Sequence, residues 1–187
     1  KSDFGLQLDS LADMVTSGLV PGLVMCQLLF ASLHPSAAFH LLSADVSWMV
    51  YVGFIITLGS AYRLAEFNID ERQTDSFIGL PTPANALLIL SLGLILNYQP
   101  DSFMAPWIQN PYVLISVAVL SVCLLNAELK LFALKFKNLN VKQNWFRYVM
   151  ILTSVLLLLW LQFVAIPMII LLYVVLSMVL SKFKLQV

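Results

Sequence analysis

Apolar residues fill long stretches of this chain, and short polar segments separate them. A helix needs about 20 predominantly apolar residues to cross a bilayer. Six stretches approach that length and are predicted to be membrane-spanning helices: residues 4–33, 47–67, 83–98, 111–132, 148–163 and 165–181. The first is expected to bend at Pro21-Gly22, because proline lacks the backbone N–H that a helix interior uses.

The last two spans are predicted as a hairpin rather than as one helix. A single helix over residues 148–181 would be about 50 Å long at a rise of 1.5 Å per residue. That length exceeds the hydrocarbon core of a bilayer, which is about 30 Å thick. Pro167 is expected to break the run.

Composition agrees with this pattern and excludes a soluble binding module. Of the 187 residues, 60% are hydrophobic and 11% are charged, and the mean hydropathy is +0.91. About a quarter of the residues in a soluble domain are charged. The sequence therefore predicts an all-α fold, a polytopic transmembrane helical bundle. The net charge is zero, so nothing predicts nucleic acid as a partner.

Basic residues give the spans an orientation. If the spans alternate from a cytoplasmic start, every Lys and Arg falls on the cytoplasmic side, as the positive-inside rule requires. The opposite side then holds His34, His40, Asp45 and Asp101. We expect an integral protein of the cytoplasmic membrane. The basic residues are Lys1, Arg63, Arg72, Lys130, Lys135, Lys137, Lys142, Arg147, Lys182 and Lys184.

The first span opens with two carboxylates. Gly5, Asp9 and Asp13 are spaced four apart, so they share one helical face. Two ionised carboxylates one turn apart repel each other, and desolvation at a membrane adds to the cost. A divalent cation would offset both effects, and oxygen ligands suit Mg²⁺, Mn²⁺ or Ca²⁺. Because two carboxylates seldom hold such an ion alone, further acidic ligands are expected elsewhere. The alternative is an ordinary acidic helix start.

This motif resembles the second half of the signature of the CDP-alcohol phosphatidyltransferases, D-x2-D-G-x2-A-R-x8-G-x3-D-x3-D. Its extended form, from Ser2 to Asp13, is most similar to the membrane-type CDP-diacylglycerol–serine O-phosphatidyltransferases of bacteria and archaea. The chain begins at Lys1 without an initiator methionine, so the first half of the signature is expected in a segment before it. About eight spans are then expected in the full-length protein.

Two further segments carry the same resemblance. Residues 62–68, Y-R-L-A-E-F-N, resemble that subfamily's R-L-A-R-F-N, and residues 77–84, F-I-G-L-P-T-P-A, resemble its F-x-G-L-P-x-P-A. Glu66 stands where the family usually has Arg, and Asn85 where a small apolar residue is common. The motifs cover residues 1–90, and the remainder is similar only in hydropathy. The resemblance implies a single domain over 1–187, with the catalytic part in 1–98 and additional transmembrane helices in 99–187.

The resemblance also implies roles for individual residues. The family transfers the phosphatidyl group of CDP-diacylglycerol to an alcohol and releases CMP. Carried over, Asp9 and Asp13 hold Mg²⁺ or Mn²⁺, Asp13 is also the general base, and Gly5 and Asp9 lie at the nucleotide. The acceptor would be L-serine, held by residues Arg63, Asn68, Arg72, Gly79 and Pro81. A homodimer is among the expected assemblies.

Other interpretations stay open at this point. Arg63 could pair with Glu66 one turn away and simply end its span, and residues 79–83 could form a plain turn before the next helix. Another alcohol could be the acceptor, although a phosphorylated one would need more than Arg63 and Arg72 to clamp its phosphate. From a different class, an ion-coupled transporter could use the two aspartates, but no second acidic span matches the first.

Overall fold

The computed structural model describes residues 2–35, 46–69, 77–131 and 141–182, and these are mostly helical. The all-α prediction is confirmed, apart from two strands of two residues each that pair antiparallel. The α-helices are α1 (Asp3–Asp13), α2 (Val20–Leu33), α3 (Phe54–Ile69), α4 (Thr82–Tyr98), α5 (Ala105–Ile108), α6 (Pro111–Asn126), α7 (Val141–Leu161) and α8 (Ala165–Lys182). The other elements are a π-helix (Met14–Leu19), 3-10 helices (Trp48–Gly53 and Gln162–Val164), β1 (Phe77–Ile78) and β2 (Lys130–Leu131).

The helices follow the predicted spans closely. Three helical stretches among the described residues are long and apolar enough to cross a membrane: Phe4–Leu33, Trp48–Ile69 and Asn144–Leu180, the last of which contains both α7 and α8. Helices α4 and α6 are shorter and apolar. The fourth predicted span was too long at its end, since α6 stops at Asn126 and the backbone of Ala127 is extended.

Helix α2 lies at the centre of the bundle. It contacts α3, α4 and α6, while α8 packs on α4 and α7 packs on α8. Its buried residues Met25, Leu28 and Leu29 belong to the main apolar core. Helices α6 and α8 thus pack directly on the helices of residues 1–98, and the assignment of catalysis to that part stays a prediction.

The first span deviates from α-helical geometry one turn earlier than predicted. The deviation is the π-helix Met14–Leu19, in which Val20 N–H bonds to the carbonyl of Val15. Pro21 cannot donate to the carbonyl four residues before it, so the turn preceding the proline is the one that loses a helical hydrogen bond. Thr57 Oγ1 donates to the carbonyl of Gly18 within this turn, at 3.1 Å.

Small residues allow the first two spans to cross closely. A Cβ placed on Gly22 would collide with Thr57 Oγ1, and one placed on Gly53 would lie 2.7 Å from the backbone nitrogen of Cys26. Close backbone approach through small residues is a common way for membrane helices to associate. The crossing holds α3 against the π-helix that follows Asp13.

The final hairpin is confirmed and its break falls between the two predicted spans, but the prediction that Pro167 causes the break is wrong. Phe146 and Met150 near the start of α7 pack with Leu180 near the end of α8, so the two helices run antiparallel. The chain reverses at Gln162, whose φ is 51°, and not at Pro167. Pro167 lies in the first turn of α8, where a missing N–H costs no intrahelical hydrogen bond.

The side chain of Gln99, at the end of α4, fixes this reversal. Its Nε2 donates to the carbonyl of Leu161, at 3.2 Å, and its Oε1 accepts from the N–H groups of Phe163 and Val164, at 3.0 and 3.2 Å. These backbone groups lie at the break between α7 and α8, where the α-helical hydrogen-bond pattern is interrupted. One side chain therefore ties the hairpin to the bundle.

Candidate active site

A cavity of about 240 Å³ lies where the first span begins, α3 ends and α4 begins. Asp13 and Arg63 face it from two helices, and Pro81 faces it from the loop that precedes α4. Three residues that the sequence predicted for the site, from three separate segments, are thus brought together. The lining residues are Asp13, Arg63, Leu64, Phe67, Pro81, Thr82 and Pro83.

Asp9 and Asp13 occupy successive turns of α1, as the spacing predicts. The helix is capped by Ser2, whose hydroxyl accepts from Gly5 N–H at 3.2 Å. Asp9 is exposed, whereas Asp13 is half-buried and is the last residue before the π-helix. Gly5 is exposed at the start of the same helix, and its role at a nucleotide stays a prediction.

Arg63 is buried, with 4% of its surface exposed. Its guanidinium carbon lies 5.9 Å from the centre of the Phe67 ring, one turn further along α3. A guanidinium within a membrane helix is costly unless it faces a cavity or polar partners, and such a residue commonly marks a functional site. Phe67 lines the same cavity and helps to fix the direction of the Arg63 side chain.

Asn68 connects α3 to α1. Ser10 Oγ donates to Asn68 Oδ1 at 3.1 Å, and Ser10 directly follows Asp9 in the acidic helix. Asn68 is not among the residues that line the cavity. Its observed contact sets the position of the acidic helix on α3, and its predicted role in binding an acceptor stays a prediction.

Gly79 is buried away from the cavity and supports the loop before α4. Its φ is +80°, and an added Cβ would collide with the carbonyl oxygen of Leu125. Its N–H donates to the carbonyl of Leu129 at 2.8 Å, and Leu80 N–H donates to the carbonyl of Leu124 at 2.9 Å. This loop is anchored on the end of α6, and the anchoring directs Pro81 toward the cavity.

Sequence reasoning missed four of the lining residues. Phe67 carried a usable signal, since it follows Arg63 by four residues and so lies on the same helical face, whereas the spacing of Leu64 gave none. Thr82 and Pro83 are the first two residues of α4, and the sequence placed them in the motif of residues 77–84 without assigning them a role at the site. Arg72, the second predicted acceptor residue, lies outside the described residues.

The donor set for a metal is partly present. Carboxylate oxygens are what Mg²⁺ and Mn²⁺ prefer, and Asp9 and Asp13 present two of them on one helical face. No group of three or more His, Cys, Asp or Glu side chains that could hold a metal occurs within the described ranges. The two carboxylates fit one side of such an ion, and the prediction that further ligands are needed stands.

Comparison with known proteins bears out the resemblance carried by the motifs. The chain is 37% identical over 105 residues to a CDP-diacylglycerol–serine O-phosphatidyltransferase of Methanocaldococcus jannaschii, an alignment that covers 56% of this chain and 44% of that protein. An enzyme of the same name from Helicobacter pylori is 37% identical over 98 residues, which is 51% of this chain and 36% of the relative. A third enzyme of that name, from Bacillus subtilis, is 28% identical over 96 residues, which is 51% of this chain and 48% of the relative.

The similarity is partial on both sides. The matched part spans less than half the length of each of these relatives and about half of this chain. No protein-family model matches the sequence, and no solved structure matches it.

Proposed function

We propose that the full-length protein is a membrane-embedded transferase that moves the phosphatidyl group of CDP-diacylglycerol to L-serine, giving phosphatidylserine and CMP. The main observation in support of this proposal is that Asp13 and Arg63 line the same cavity. The names of the similar proteins supply the substrate pair. In this proposal the integral membrane protein lies in the cytoplasmic membrane, with the cavity facing the cytoplasm.

Asp13 is the general base of the proposed reaction. The serine hydroxyl oxygen attacks the phosphorus that carries diacylglycerol, and a new P–O bond forms while the P–O bond to CMP breaks. The hydroxyl proton passes to the Asp13 carboxylate, and CMP leaves with its phosphate. The Asp13 carboxylate lines the cavity and is suited to act as a general base, because an acceptor bound in the cavity can reach it directly.

Arg63 binds the serine carboxylate. A guanidinium forms two parallel hydrogen bonds with a carboxylate, and the surrounding low polarity strengthens them. The burial of Arg63 and its contact with Phe67 restrict its side chain, so the acceptor is held in one orientation relative to Asp13.

Asp9 and Asp13 would hold Mg²⁺ or Mn²⁺ together with further oxygen ligands. When bound, the ion neutralises charge on the pyrophosphate as the bond to CMP breaks. Asp9, which is exposed, would then face the nucleotide side of the site.

Serine-dependent release of CMP from CDP-diacylglycerol tests the proposal. The full-length protein is assayed in mixed micelles after chelation, with and without added Mg²⁺ or Mn²⁺. We expect release that needs serine, donor and metal together. Release with glycerol phosphate but not with serine would overturn the acceptor assignment, and no release with any alcohol would overturn the transferase itself.

A further inference from the structure

A second cavity, of about 400 Å³, lies between α4 and the α7–α8 hairpin. Apart from the Tyr173 hydroxyl, its lining is apolar. Residues from all three helices contribute to it, among them Ala84, Leu87, Met150, Leu158, Ile166 and Ile169. It is therefore a poor site for serine or a nucleotide and a suitable one for hydrocarbon.

Pro81 connects the two cavities, because it lines both the candidate active site and the apolar cavity. A molecule with a charged end at Asp13 and Arg63 would thus have its apolar end directed past Pro81 toward Ala84. The cavity on one side of Pro81 contains the charged residues Asp13 and Arg63, and the described residues that line the cavity on its other side include no charged residue.

The apolar cavity is elongated along the helices. On α8 it extends from Ile166 to Tyr173, which corresponds to about 10 Å at 1.5 Å per residue. Leu87 and Leu158 at its rim are 55% and 44% exposed, so the cavity opens sideways on the helical surface that a bilayer would cover. A chain running roughly parallel to the helices could enter it from the lipid.

We propose that this cavity holds one hydrocarbon chain of the lipid donor while the pyrophosphate lies at Asp13. This inference rests on the proposed function for the identity of the charged end. It makes the α7–α8 hairpin part of the lipid-binding site, and Gln99 holds that hairpin in place. The occupant is assigned as a lipid chain because the cavity adjoins the charged site at Pro81 and its lining is almost wholly apolar.

Filling the cavity tests the inference. In Ile169→Trp and Ala84→Phe, a larger side chain occupies the space from opposite walls, and Leu171→Trp is the matched control, since Leu171 is 59% exposed and lines neither cavity. Each variant is assayed with dioleoyl and dihexanoyl CDP-diacylglycerol. We expect both filling variants to lower kcat/KM for the dioleoyl donor about tenfold more than for the dihexanoyl donor. The control should affect both donors equally.

A binding measurement separates this inference from the proposed reaction. CDP-diacylglycerol with a diazirine in one acyl chain is photolysed on the wild-type protein, and the labelled peptides are mapped. Adducts on residues 84–87, 150–158 or 166–173 support the cavity whether or not CMP is released. Equal loss with both donors, or adducts confined to other helices, would overturn it. A wild-type protein that is labelled in the cavity but releases no CMP would refute the transferase alone.

Discussion

Asp13 and Arg63, which lie on different helices and far apart in the sequence, face the same cavity at the end of the bundle where α4 begins. The crossing of the first two spans at Gly22 and Thr57 allows the two helices to approach, and Pro81 adds the third wall. A carboxylate and a guanidinium are thereby placed around a space the size of a small polar acceptor.

Replacing Asp13 by Asn tests the general base. The amide keeps the size of the side chain and cannot accept the proton, so CMP release should fall by about 10²- to 10⁴-fold. Asp101→Asn is the control, since Asp101 is exposed in the turn between α4 and α5. Thermal unfolding in detergent should be unchanged in both variants. An Asp13→Asn protein with wild-type turnover would remove Asp13 from the chemistry.

Replacing Arg63 by Lys tests the acceptor site. The charge is kept but the two parallel hydrogen bonds are lost, so KM for serine should rise about tenfold or more. KM for CDP-diacylglycerol should change much less, because Arg63 is assigned to the acceptor. An equal rise in both KM values would mean that Arg63 acts on the donor or on the fold.

Gly22→Ala should destabilise the crossing of the first two spans. The added methyl collides with Thr57 Oγ1, and overpacking of this kind costs about 1–3 kcal/mol. Thr57→Ala alone should cost about 1 kcal/mol, because it removes the hydrogen bond to the Gly18 carbonyl. The double variant should be more stable than the sum of the two losses predicts, since Thr57→Ala makes room for the methyl. Free energies of unfolding in mixed micelles measure this, and strict additivity would contradict the collision.

Gly79→Ala should lower stability by about 1–3 kcal/mol, because φ is +80° and the Leu125 carbonyl occupies the space of a Cβ. Gly93→Ala provides the comparison. Its added Cβ would meet only Val24 Cγ1, at 3.8 Å, which is an ordinary contact, so no loss is expected there. If both variants unfold at the same temperature, the loop before α4 is not held as described.

Gln99→Leu should loosen the α7–α8 hairpin. The change removes the hydrogen bonds from the Gln99 side chain to the Leu161 carbonyl and to the N–H groups of Phe163 and Val164. Each of these groups that stays buried and unpaired should lower the free energy of unfolding by about 1–3 kcal/mol. Hydrogen exchange at residues 161–165 should speed up before global unfolding. Gln109→Leu is the control, since Gln109 is exposed beyond α5. Unchanged exchange in Gln99→Leu would show that other contacts fix the reversal.

Much of the fold was predictable because a membrane-spanning helix is determined by local composition. The run of apolar residues alone located the ends of most helices to within a few positions, and the hairpin followed from its length. What forms the break could not be predicted, because it depends on Gln99 at the end of another helix and on the backbone of Gln162. Pro167 was the stronger local signal, yet a proline is tolerated in the first turn of a helix.

For the candidate site, the sequence by itself determined that Asp9 and Asp13 share a helical face and that Arg63 and the loop before α4 carry related motifs. Only the tertiary structure decided that Asp13, Arg63 and Pro81 share a cavity, while Asn68 bonds Ser10 and Gly79 supports the loop. The physical reason is that spacing fixes the face of one helix, whereas contact between helices depends on their rotation and crossing. A π-helix after Asp13 adds about one residue to a turn and rotates the rest of the span by about 100°, which no local pattern reveals.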